Sequence, residues 1–204
     1  MYFASALELT KREQASLKIT DDYSLHKLIY NLFDDIRTPE EKAQGKSRGF
    51  VFSDRGVTSG GNRRILMLSN RPPAVKSGGR GSLVVKDLPE DFFEKKLYRF
   101  QITANTTKTQ SGKIVSIHSH DEIKNWLVSR SQAWGFSVVG EVGVNSVDVL
   151  KFRAQKNNLV TLCKADLFGV LCVSDPKIFK DSVLLGLGPG KAFGCGLLQI
   201  LPLK

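Results

Sequence analysis

Five glycines fall within the last twenty residues, in the stretch Gly186-Leu-Gly188-Pro-Gly190-Lys191-Ala-Phe-Gly194-Cys-Gly196, directly before the apolar run Leu197–Leu201. A segment so rich in glycine cannot be a stable helix or an ordinary strand, because each glycine surrenders more backbone freedom on folding than any other residue. It fits places where the chain takes left-handed dihedrals or where another backbone comes very close. Bare amides in such a loop form a concave set of donors for an anion such as phosphate. Lys191 adds a cation in their midst. A glycine-rich turn leading into a final strand is the competing reading.

The remainder of the 204-residue chain is that of a soluble globular protein, with 41% hydrophobic and 25% charged residues. No apolar run approaches the roughly 18–20 residues of a membrane helix. The opening Met1-Tyr-Phe-Ala-Ser-Ala-Leu-Glu-Leu-Thr10 has no basic start and reads as no signal peptide. The three cysteines (Cys163, Cys172, Cys195) form no C-x-x-C pair. They fit a reducing cytoplasm better than a disulfide framework or a zinc site.

Charge is distributed unevenly. From Lys42 to Arg80 nine basic residues, among them Arg48, Arg63, Arg64, Lys76 and Arg80, face one acid, Asp54, whereas residues 1–40 hold five basic and seven acidic residues. A local excess of this size is the electrostatic footprint of a polyanion binder. A solvated basic face without a partner is the alternative. Arg153, Lys156 and Lys164, around a later hairpin, are further candidates for touching a nucleic-acid backbone, though such residues also serve solubility alone.

Residues 2–9 alternate as a strand, and Thr20-Asp21-Asp22 offers N-cap chemistry to a helix with Leu25, Leu28, Ile29, Leu32 and Phe33 at three- and four-residue spacing. Gly49–Ser53, Arg64–Ser69 and Ser82–Lys86 read as strands, with a short irregular or helical piece before the last. After Leu88-Pro-Glu-Asp the order recurs. Leu97–Ala104 reads as a strand and His120–Phe136 as a helix. Val147–Phe152 and Ala165–Val173 pair across Arg153–Asn158. A helix follows from Asp175-Pro176 to Leu185, and Gly196–Leu201 forms a last strand. Two β-α-β-β-α-β units make an α+β chain of tandem ferredoxin-like (RRM-like) domains, residues 1–90 and 96–204, the second carrying the glycine loop.

Tyr23 and His26 lie three apart on the first turns of the leading helix and so share a face. An imidazole exchanges a proton near neutral pH, and a tyrosine hydroxyl can orient a neighbouring oxygen. A structural role for the pair is equally compatible with the spacing, and Tyr30 reads as a packing residue. His118 and His120 sit at a helix entry, near Asp121 and Glu122 only, which gives little reason for a metal. Gly112-Lys113 fits a hairpin tip. Phe50, Phe52 and Phe100 on strands admit either base stacking or a core.

These features together resemble the CRISPR repeat-processing endoribonucleases of the RAMP superfamily, and within them the CasE family of type I-E systems. The likeness is carried by Met1-Tyr2, by Leu25-His26 through Leu32-Phe33, and by Tyr98-Arg99-Phe100 leading to Ala104-Asn105 and Lys108. It continues in Trp126-Leu127, in Gly169-Val-Leu171 before Asp175, and above all in Gly186 through Gly196. Thr106 stands where that family often has proline, and the loop from Lys108 to Ile117 is short. The resemblance implies a double ferredoxin-like fold and cleavage, without metal or cofactor, of a precursor CRISPR RNA beside a repeat stem-loop. It also implies retention of the product within a type I surveillance complex. It places the catalytic histidine on His26 and the tyrosine on Tyr23. Phosphate contacts are expected from Gly188, Gly190, Lys191, Gly194, Gly196 and Lys108. In the chemistry expected of the pair, His26 is the general acid or base, in the first place protonating the leaving oxygen, and Tyr23 orients a ribose 2′-hydroxyl or assists its deprotonation. A non-catalytic RNA-binding scaffold of the same fold is the alternative, and a DNA-binding regulator lacks a helix-turn-helix signal.

Overall fold

The computed structural model describes residues 1–74, 81–153 and 159–203. In chain order the elements are β1 (Phe3–Leu9), α1 (Lys11–Ser16), α2 (Asp22–Tyr30), α3 (Pro39–Ala43), β2 (Phe50–Val57), β3 (Arg63–Ser69) and β4 (Ser82–Asp87). They continue with β5 (Leu97–Asn105), a hairpin of β6 (Thr107–Gln110) and β7 (Lys113–Ser116), α4 (His120–Ser131), β8 (Phe136–Arg153), β9 (Leu159–Val173), α5 (Pro176–Leu185) and β10 (Leu198–Pro202). Two four-stranded antiparallel sheets result, ordered β2-β3-β1-β4 and β10-β5-β9-β8. Counted within each half, both have the strand order 4-1-3-2, the tandem ferredoxin-like arrangement expected from the sequence.

Helix α2 forms where its cap chemistry starts it. Asp21 accepts from the Ser24 amide at 2.7 Å, and the Ser24 hydroxyl reaches back to the Asp21 amide at 3.0 Å. Its Leu25 and Ile29 then close against Leu7, Leu9, Ile65 and Met67 of the first sheet. The second core lies between the other sheet and α4 and α5, and Val51 and Leu68 of the first half join it. Phe50, Phe52 and Phe100 are all buried, which removes them as stacking surfaces.

The structure corrects several boundaries. The helix expected over His120–Phe136 ends at Ser131 and passes through a 3-10 turn to Gly135 at φ +80°. A Cβ there would lie 2.4 Å from the Phe179 amide nitrogen, so close approach of α5 forces the break. The strand expected from Val147 begins instead at Phe136, its alternation obscured by irregular register between Val139 and Gly143 and again between Val144 and Ser146. Helices α1 and α3 were not expected. Each is opened by a capping box, Thr10 with Glu13 and Thr38 with Glu41, but neither buries a residue that would give a period. Among the described residues no helix is long and apolar enough to cross a membrane.

Candidate functional site

The leading helix and the glycine loop, remote in sequence, meet at His26. Its Nδ1–H donates to the Ala192 carbonyl at 2.8 Å, which fixes the tautomer of the neutral ring and leaves Nε2 with a free lone pair. The ring is held between aromatic neighbours. Tyr30 lies 3.9 Å away between centroids and Phe193 5.5 Å, while Tyr23 is nearly parallel at 6.0 Å and 11°. Burial draws the His26 pKa below the ordinary 6.5, the Ala192 carbonyl opposes this, and the charges of Arg48 and Lys27 add to the lowering. At neutral pH the resting ring is therefore uncharged and able to accept a proton.

The loop can reach His26 because of its glycines. Gly188, Gly190, Gly194 and Gly196 all have φ between +71° and +89°. Gly190 and Gly194 bracket a 3-10 turn over Lys191–Phe193, so the Ala192 carbonyl is aimed by two left-handed residues. Phe193 donates to Gly190 and Gly194 to Lys191, which leaves the Lys191 and Ala192 amides ahead of the turn's first hydrogen bond. Around the loop, Gly196 donates to Thr103 and accepts from Leu187, both at 2.8 Å.

A groove of about 440 Å³ opens beside this cluster, lined by Tyr30, Arg37, Lys46, Arg48, Phe50 and Lys191. The Arg48 guanidinium stacks 4.7 Å from the Tyr30 ring centre and reaches Asp35 at 3.3 Å. Desolvation by the groove walls lowers the pKa of Lys191, although the residue is exposed overall. Burial likewise raises the pKa of the Tyr30 hydroxyl. On the other side of the loop a second depression, about 390 Å³, runs past Asp22, Gly194, Lys164 and Asp166.

The remaining residues singled out by sequence separate into distinct places. Arg48 and Lys191 lie beside His26. Lys164 is turned to Asp22 on α2 and is only 12% exposed, so its charge ties the halves together and is not presented to solvent. Arg63 is paired with Asp54, which raises its pKa against the desolvation of the site. Arg64 pairs with Glu8 at 3.6 Å and, with it, lines a groove on the sheet face away from α2. Lys108 pairs with Glu122 at 2.8 Å. Arg153 is exposed at the end of β8. Lys76, Arg80 and Lys156 lie outside the described residues. His118 approaches the buried Cys163 Sγ at 3.5 Å, and no group of three or more His, Cys, Asp or Glu among the described residues could hold a metal ion. What sequence reasoning missed is the Ala192 carbonyl, a backbone atom that no side-chain pattern marks, and the part of Tyr30 and Phe193 in holding the imidazole.

The sequence matches the CRISPR associated protein family over residues 1–202. A relative in Thermus thermophilus, CRISPR-associated endoribonuclease Cse3, is 34% identical over 116 residues, covering 51% of this chain and 55% of its own length. The match thus spans about half of that relative. Among solved structures, CRISPR endoribonuclease Cse3 bound to a 19-nucleotide RNA superposes with a TM-score of 0.80 at 22% identity, covering 98% of this chain and 100% of the other. A chain of a CRISPR RNA-guided surveillance complex in a pre-nicking state matches at TM-score 0.72 and 18% identity, over the whole of both chains. At these identities the two structures establish a shared fold.

Proposed function

The chain belongs to the CRISPR-associated protein family, and from that premise we propose that it is a metal-independent endoribonuclease. It cuts precursor CRISPR RNA beside repeat stem-loops and retains the processed RNA for a type I surveillance complex. One observation carries this reading: His26 is clamped by the Ala192 carbonyl at 2.8 Å, with its other nitrogen unengaged among the described residues, where the leading helix meets the glycine loop. A structural histidine in an apolar core would have no reason to sit beside a groove lined by Arg48 and Lys191.

The RNA supplies its own nucleophile. The 2′-oxygen attacks the adjacent phosphorus, the bond from phosphorus to the next 5′-oxygen breaks, and a 2′,3′-cyclic phosphate and a 5′-hydroxyl result. His26 Nε2 takes the proton from the 2′-hydroxyl, the departing 5′-oxygen takes one from solvent, and the imidazolium then returns its proton to solvent. This assigns it the acceptor's part in place of the donor's, because its lowered pKa keeps the resting ring neutral. Tyr23, parallel to His26, orients the ribose. Lys191, Arg48 and the leading amides of the 3-10 turn hold the phosphate and its developing charge. The RNA lies across both halves, residues 1–90 and 96–204, with Arg153 among its backbone contacts. The three cysteines are free thiols, as suits work in the cytoplasm.

The test is a labelled repeat hairpin incubated in EDTA. Discrete products with 2′,3′-cyclic ends are expected, a 2′-deoxy sugar at the cut blocks them, and His26→Ala slows cleavage by roughly 10²–10⁴-fold with RNA affinity retained. Strict dependence on magnesium, or parallel loss of binding and cleavage in His26→Ala, refutes the reading.

A further inference from the structure

The second sheet has a face whose far end, around Phe168, the site described above does not use. Along β9 the residues Cys163, Ala165 and Leu167 are fully buried, so Lys164, Asp166 and Phe168 follow one another on the opposite side. Phe168 is 44% exposed there, in the middle of the sheet, with Gln101 of β5 and Gly143 of β8 as its cross-strand neighbours. A Cβ on Gly143 would come within 2.1–2.7 Å of three atoms at the tip of the Phe168 ring. The missing side chain is what lets the ring lie down over β8, with its outer face in solvent.

The surroundings of this ring are not those of an apolar contact patch. It lines a concavity of about 500 Å³ with Arg99, Gln101, Asn145, Gln199 and Leu201. Arg99 is exposed and, among the described residues, has no ion-pair partner. The Asp166 carboxylate, two residues before Phe168 on the same face, is occupied by Arg55 at 3.4 Å and by the amides of Gln101 at 2.9 Å and Asn145 at 3.1 Å. Among the described residues, the carbonyl oxygens of those two amides accept no hydrogen bond. Gln199 Nε2 is buried and meets no hydrogen-bond partner among the described residues. A flat ring, a guanidinium and three amides offer a π-face with donors and acceptors around it, which is how an unpaired nucleobase is recognised.

The position is continuous with the cleavage site. Lys164, four residues before Phe168 on the same face, is joined to Asp22, the residue before Tyr23. At the rise of a strand this separates Lys164 and Phe168 by about 13 Å. We propose that Phe168 is a stacking platform for an unpaired base of the RNA strand flanking the cut, with Arg99, Gln101 and Gln199 around that nucleotide. The proposal rests on the reading of the protein as an RNA-processing enzyme.

The experiment uses repeat RNAs carrying a 2′-deoxy sugar at the cut, so that binding is measured without cleavage. One is the stem-loop alone, and others extend it by unpaired nucleotides on either side, with 2-aminopurine in the extension. For wild-type protein an extension on one side should tighten binding and quench the 2-aminopurine. Phe168→Ala should lose about 5- to 150-fold in affinity for that extended RNA, the range of one stacked base, and lose the quenching, with the stem-loop alone unaffected. Phe168→Trp should restore both. No gain from either extension in the wild type overturns the proposal, as does an unchanged affinity of Phe168→Ala or an equal loss on the stem-loop. If Phe168→Ala keeps its RNA affinity but binds the other surveillance-complex subunits more weakly, the ring is a protein contact and the proposal fails. Failure of wild-type protein to cut the all-ribose RNA refutes the nuclease reading alone, since the stacking readout does not need cleavage.

Discussion

Replacing Gly196 with alanine tests whether the glycine loop is a packed scaffold for the imidazole. Gly196 has φ +89°, a region that costs a residue with a side chain about 1–2 kcal/mol. The new Cβ would also stand 2.5 Å from the Leu187 carbonyl oxygen and 3.1 Å from its nitrogen. These are backbone atoms of a 1% exposed residue, and they cannot rotate away. Relieving the contact pushes the two chains apart and breaks the 2.8 Å bond from the Leu187 amide to the Gly196 carbonyl. An amide buried without a partner costs about 1–3 kcal/mol, so the sum is about 2–5 kcal/mol. At about 2–4 °C per kcal/mol for a chain of this size, the melting temperature falls by about 4–20 °C. Gly112→Ala is the control, because Gly112 has φ +73° in the β6–β7 turn but no atom within 4 Å of its added Cβ. It should show the backbone cost alone. Denaturant unfolding gives the stabilities, and single-turnover cleavage below both transitions gives the second readout. Since the same loop aims Ala192 at His26, a displacement near 1 Å should slow Gly196→Ala by about 10²-fold while Gly112→Ala keeps its rate. Equal destabilisation of the two variants would refute the packed-loop account.

Three further outcomes are expected. With the His26 pKa held below 6.5 and the ring acting as proton acceptor, the single-turnover rate at saturating RNA should be flat from neutral pH upward and fall as acidification passes through that pKa; a rate that rises on acidification would make His26 the proton donor. Lys164→Met should leave the salt dependence of RNA binding unchanged but destabilise the fold by up to about 3–5 kcal/mol, because Asp22 loses its partner in a largely buried site. Part of that loss should return when Asp22→Asn is added, as denaturant titration of the double variant can show. Arg153→Gln should change stability by no more than about 0.5 kcal/mol yet reduce the slope of log affinity against log salt by about 1; an unaltered slope removes Arg153 from the interface.

Some of this protein could be read from the order of its residues because the determining forces are local. Asp21 and Ser24 cap a helix whose apolar residues recur with its own period. Pro176 sits where only a first helical turn accepts it. The five closing glycines permit a positive φ that other residues rarely take, and all five adopt one. Helices α1 and α3 carried local signals too, in Thr10 with Glu13 and Thr38 with Glu41, but without a buried face such signals have no period to support them. What only the tertiary structure decided involves partners far apart in the chain. His26 meets a carbonyl 166 residues away, and Lys164 is matched with an aspartate 142 residues earlier. The composition of a segment sets its charge and its turn, whereas the direction a charge faces depends on which distant strand lies opposite. That is why Lys164 and Arg63, basic in sequence, are spent inside the molecule, while Phe168, apolar in sequence, stands in solvent over Gly143.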